Sequence, residues 1–100
     1  MTVLIPVNKK DEDEAEIVSM NEIHFWALIT LEDGKIQSCI FHDTREEITQ
    51  WIDIVVVLNE QEYVWPFIEA GMVVLTAPTQ RSIEDIIEAL LFKELYDLSV

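Results

Sequence analysis

The chain has one cysteine, six basic residues against twenty acidic ones, and no long apolar run. Each shortage excludes something. Cys39 has no partner for an internal disulfide and cannot build a multi-cysteine metal site alone. A net charge of -14 repels phosphate backbones, and six scattered cations do not form the basic patch that nucleic-acid binding needs. Anionic membrane surfaces are disfavoured for the same reason, and no segment approaches the roughly 20 apolar residues of a membrane span. The opening Met-Thr-Val-Leu-Ile-Pro-Val lacks a basic flank and is too short in its apolar part for a signal peptide. The expectation is a cytoplasmic protein, with a basic protein surface or a cation as the partner its charge favours.

What is present is hydrophobic in half its residues, ample for one core in one domain spanning residues 1–100. The chain is organised around Ile54-Val55-Val56-Val57-Leu58, an unbroken and mostly β-branched run. Without alternation, neither face of such a strand meets water, so layers are expected on both sides of a parallel sheet. The polar tetrad Asn59, Glu60, Gln61, Glu62 follows at its carboxyl end, where open α/β sheets bind ligands.

Thr2 to Val7 reads as the first strand, with Pro6 near its end, where a missing N–H is tolerated. Residues 8–16 form an acidic, mobile, solvated loop. Residues 25–31 and 36–41 are two antiparallel strands around Glu32-Asp33-Gly34-Lys35, a type I′ turn signal. Asp43 or Thr44 starts a helix, with Glu46 or Glu47 in capping-box spacing and Ile48, Trp51 and Ile52 on its docking face. A second helix covers residues 62–70 with Pro66 in its first turn and Gly71 after its last. Residues 72–75 make a fifth strand. Ser82 with Asp85 caps a third helix, whose apolar stripe runs from Ile83 to Leu95. The order β-β-β-α-β-α-β-α implies an α/β domain with a mixed five-stranded sheet, 3-2-1-4-5, flanked by helices: the ribonuclease-H-like arrangement.

In that order the chain resembles the nitrogenase iron-molybdenum cofactor biosynthesis family, dinitrogenase cofactor-binding accessory domains. Leu4-Ile5-Pro6-Val7 is similar to its opening strand, and Phe25-Trp26-Ala27-Leu28-Ile29 to the strand after its His-Phe-Gly-Arg segment. Asp53-Ile54-Val55-Val56-Val57, Glu69-Ala70-Gly71-Met72 and the helix carrying Glu88-Ala89 also match in order. The resemblance implies a small domain that binds or carries an iron-sulfur-molybdenum cluster. Two segments depart from the pattern. Ser19-Met20-Asn21-Glu22 stands where the family has His-Phe-Gly-Arg. Asn59-Glu60-Gln61-Glu62 stands where it has a glycine-rich loop, whose bare backbone N–H groups would approach an anionic ligand. No family ligand residue carries over. The expectation is a divergent, non-enzymatic binding or accessory protein with the cluster-binding motifs lost and no cofactor. The alternative is a retained iron-sulfur or iron-molybdenum cluster carrier.

For that alternative the donors are His24, Cys39 and His42. Strand alternation puts Cys39 and His42 on opposite faces, which favours Cys39 as a small hydrophobe and leaves His24 as first choice for a cofactor contact. The run Asp11-Glu12-Asp13-Glu14 lacks the spacing and the glycine of a calcium loop. No acid lies on the first strand for two-metal nuclease chemistry. Ser19, Ser38, Ser82 and Ser99 have no nucleophile-elbow setting. Tyr63, Trp65 and Phe67 cluster around Pro66 as core or as a contact between copies.

Overall fold

The structure is a computed structural model and describes residues 1–98, so that Ser99 lies outside the described residues. Six strands form one sheet in the order β3-β2-β1-β4-β5-β6. They are β1 (Thr2–Val7), β2 (Phe25–Glu32), β3 (Lys35–His42), β4 (Ile54–Val57), β5 (Val73–Thr76) and β6 (Tyr96–Asp97). β1, β4 and β5 run parallel, and β2, β3 and β6 are antiparallel to their neighbours. The first five strands have the expected ribonuclease-H-like order. The sixth, on the far edge, is an addition to it.

The central run is a strand whose four residues are all buried. Ile54 and Val56 join one cluster, with Val3, Ile5 and Ile29. Ile83, Ile86 and Ile87 of α2 (Ile83–Leu91) cover that cluster. Val55 and Val57 join the other cluster, with Leu4, Leu28 and Val74, under Phe67 of α1 (Trp65–Glu69) and Ile52. The missing alternation in the sequence is therefore two half-cores on one strand.

The turn signal at Asp33-Gly34 is realised, with φ of 53° and 74° at the two positions. Between Thr30 and Leu31 the register with β3 shifts, Gln37 being the extra residue, so this edge carries a bulge. Ser82 caps α2 by accepting from the Asp85 N–H at 3.1 Å. The helix ends in a Schellman motif, Glu94 N–H to Ala89 O and Lys93 N–H to Leu90 O, with Lys93 at φ 58°. That left-handed turn stops the helix at Leu91, short of the stripe that extended to Leu95, and reverses the chain into β6.

The helix expected after Asp43 is a correction. Only a single 3₁₀ turn, Arg45–Glu47, forms, and Ile48 is already extended. The start signal is present, since Glu47 accepts from the Asp43 N–H at 2.9 Å. It loses to the sheet. The Thr2 hydroxyl donates to Trp51 O at 2.6 Å, and the Asp53 N–H donates to Thr2 O at 3.2 Å, so residues 51–53 run beside β1 into the start of β4. Trp51 is consequently not on a docking face but 66 % exposed, while Ile52 is buried.

Asp53 accepts from the Thr2 N–H at 2.8 Å, and this bond holds its carboxyl below the usual range; burial opposes it, and the Thr2 hydroxyl helps. A depressed folded value means stability that is present above the unfolded carboxyl value, about pH 4, and lost as pH falls through the folded value. Urea midpoints taken at pH 6 and pH 3 should therefore fall more in the natural protein than in Asp53→Asn, and equal falls would remove Asp53 as a contributor.

Candidate functional site

The site grows out of Pro6. Thr2 O and Pro6 O face the β4 side of β1, so the N–H that proline lacks would have lain on that side too. Parallel pairing with β4 is confined to Val3 and Leu4, although β4 continues to Val57. Past that point residues 17 and 18 take the place of β4. The Val18 N–H donates to Pro6 O at 3.0 Å, and Ile17 bridges to Val7. The strands splay at their carboxyl ends, and a pocket of about 520 Å³ opens there.

Its floor is apolar, from Ile17, Val18, Leu58 and Pro78. Its polar lining is Glu22, Asn59, Glu60, Thr76, Arg81 and Tyr96. Arg81 is fixed at three points. Its carbonyl accepts from the Ile17 N–H at 2.8 Å, and its Nη1 donates to Ala77 O at 3.2 Å and Gln80 O at 2.8 Å. Among the described residues, no side-chain hydrogen bond or ion pair engages Glu22 or Glu60, and no carboxylate pairs with Arg81.

The tetrad after β4 divides between two tasks. Asn59 and Glu60 line the pocket. Gln61 is exposed, its N–H held by Asn59 Oδ1 at 2.9 Å. Glu62 turns inward and is only 7 % exposed. It accepts from Ser19 Oγ at 2.8 Å and from the Met20 N–H at 2.6 Å. The two segments that depart from the family pattern are thus joined by one carboxylate. A buried glutamate 43 residues away in sequence from its partner leaves no local periodic mark, which is why the sequence shows it only as part of a polar tetrad.

His24 does not line the pocket. Its ring stands edge-on to Trp26 at 4.8 Å, and Trp26 in turn meets Phe67 at 6.2 Å. The Arg45 guanidinium closes this row over Phe67 at 4.7 Å. Nδ1 of His24 lies 2.8 Å from the Glu22 carbonyl oxygen, an acceptor, which places the proton on Nδ1. His24 therefore positions the backbone of a pocket residue. His42 pairs across β2 and β3 with Trp26, on the same sheet face. Its Nδ1 lies 3.7 Å from Glu47. Cys39 packs against the opposite cluster, as strand alternation requires, and burial pushes its thiol up to about 11, with Glu12 adding to the shift. Few thiolates exist at neutral pH under those conditions. The three donors do not converge, and among the described residues no group of three or more His, Cys, Asp or Glu could hold a metal ion. This donor set does not fit an iron-sulfur-molybdenum cluster.

The acidic loop is closed rather than open. The Asn8 N–H donates to Glu16 O at 3.1 Å, and Asp11 Oδ1 accepts from the N–H groups of Asp13 and Glu14 at 2.9 and 3.1 Å. Lys10 forms an ion pair with Asp43 and lies over the Phe25 ring at 5.1 Å. Of the aromatic cluster, Phe67 is core, whereas Tyr63 and Trp65 are 73 % and 57 % exposed. No helix among the described residues is long and apolar enough to cross a membrane.

No family model and no curated protein matches the chain. Two solved structures share its fold. PH0822 superposes with a TM-score of 0.72 at 14 % identity, over 97 % of this chain and 96 % of that one. A protein of Methanocaldococcus jannaschii, provisionally described as a dinitrogenase, superposes with a TM-score of 0.70 at 13 % identity, over 99 % and 95 %. At these identities the likeness defines a class by fold, a small α/β domain with a mixed sheet.

Proposed function

We propose that the chain is a non-enzymatic binding or accessory domain, a divergent relative of the nitrogenase cofactor accessory proteins in which the cluster-holding segments have been replaced. The observation that carries this reading is Glu62. Its carboxylate occupies the loop where glycines would leave backbone N–H groups free for an anionic ligand, and it spends its oxygens on Ser19 and Met20. The shared fold with the Methanocaldococcus protein supports the distant link. The pocket at the carboxyl ends of β4 and β5 supports binding as the role, since this is where open α/β sheets take ligands. It brings carboxylates, a guanidinium and neutral hydrogen-bonding groups together, a lining suited to holding a ligand. The -14 net charge makes a basic surface the favoured protein partner.

Anaerobic incubation with iron and sulfide, followed by desalting, elemental analysis and absorption spectroscopy, tests the proposal. The expected product is colourless and contains far less than one iron per chain. Stable, stoichiometric uptake that disappears in His24→Ala would establish a cluster carrier instead.

A further inference from the structure

The pocket at the carboxyl end of β4 holds charges of both signs that no side chain among the described residues neutralises. Three features make this unusual for a chain with twenty acids and six bases. Among the described residues, Arg81 stands in the pocket wall without an ion pair, although acids outnumber bases more than threefold. Its Nη1 is turned onto two backbone carbonyls, which orients the planar guanidinium and leaves its other donors for something else. Glu22 and Glu60 line the same pocket, and among the described residues no side-chain partner engages either carboxylate.

Each half of this arrangement selects against a singly charged occupant. An anion would gain Arg81 but face Glu22 and Glu60. A cation would gain the two carboxylates but face a fixed guanidinium. A molecule carrying both charges satisfies both halves, with its carboxylate on the Arg81 fork, a geometry arginine favours, and its ammonium toward the glutamates. Asn59, Thr76 and Tyr96 add neutral hydrogen-bonding groups around an apolar floor. The volume of about 520 Å³ is ample for a small organic molecule and falls within the range of roughly 300–1,000 Å³ seen for ligand sites. We infer that the pocket between Arg81, Glu22 and Glu60 binds a small zwitterion of the amino-acid class. The inference rests on the reading of the chain as a binding domain and deepens it by naming the ligand chemistry.

Titrations of the isotope-labelled full chain, followed by amide NMR, test it with a matched set of probes. Glycine and 4-aminobutyrate carry both charges; butyrate and butylamine, of the same length as the latter, carry one each. At least one zwitterion should give saturable shifts at residues 22, 59, 60 and 81, with butyrate and butylamine binding about tenfold more weakly or worse. Arg81→Gln and Glu60→Gln each alter an exposed side chain without touching the core, and each should weaken the zwitterion by about tenfold. Equal binding of butylamine, equal binding of butyrate, or no localised shift with any probe would overturn the inference. None of these outcomes bears on cluster uptake, so failure here and failure of the accessory-domain reading are told apart.

Discussion

Replacing Glu62 by alanine should destabilise the protein by roughly 2–3 kcal/mol, the range for removing hydrogen bonds to a buried charged group. The Ser19 hydroxyl and the Met20 N–H would both lose their acceptor in a place where Glu62 itself is only 7 % exposed. For a domain of this size, thermal unfolding should move down by roughly 10–20 °C. Glu62→Gln keeps one carbonyl acceptor and should lose about half as much, while Ser19→Ala, which removes one of the two donors, should cost about 1 kcal/mol. Amide exchange adds a local readout, because the Met20 N–H should exchange much faster in Glu62→Ala while amides of β1 and β4 slow or quicken only with global stability. An unchanged melting temperature would show that the carboxylate is solvated and that residues 19–20 are held by something else.

Leu4→Ala should have the larger effect, about 2–5 kcal/mol. Leu4 is fully buried in the central strand and packs with Trp26, Leu28, Val55 and Phe67. β1 is paired on both sides there, with Leu28 opposite on β2 and Val55 opposite on β4, so the backbone has little freedom to collapse into the space. With urea slopes of about 1–3 kcal/mol/M, the midpoint should fall by roughly 1–3 M at unchanged slope. Ile40→Ala provides the contrast: the residue is 46 % exposed on the edge strand, and the loss should stay near 0.5 kcal/mol. Comparable losses at the two positions would contradict a core centred on β1 and β4.

Those two predictions draw on features of different legibility. The core at Leu4 and Val55 was readable because a non-alternating β-branched run has one physical meaning, burial on both faces. The hairpin was readable from Asp33-Gly34, and the start of α2 from Ser82 and Asp85, because each feature depends on residues within four positions of one another. The helix after Asp43 failed because its local start signal competes with hydrogen bonds from Thr2, some fifty residues away in sequence. β6 was missed because Lys93 adopts the left-handed conformation that a glycine usually announces. The site followed the same division. Its location after β4 was visible from strand polarity, and Asn59 and Glu60 do line the pocket. Its composition was not visible, since Glu22, Thr76 with Arg81, and Tyr96 come from three separate stretches that the fold brings together. His24 was singled out by its place before the second strand and by the opposite faces of Cys39 and His42, and the structure sets its ring against Trp26, outside the pocket lining.

The two edges of the sheet differ in length, and this gives the large negative charge a task in keeping copies apart. β6 offers only two residues to an incoming strand, while β3 offers eight, of which Lys35 alone is permanently charged. A long edge of this kind is a template for aggregation, and the bulge at Gln37 interrupts it at one point only. The remaining protection is long-range repulsion between molecules of net charge -14, acting over a Debye length of about 8 Å at physiological salt. Acidification toward the isoelectric point near 4.1 removes that repulsion. Intermolecular sheet growth along β3 is then opposed only by the bulge and by the Lys35 charge at one end of the strand.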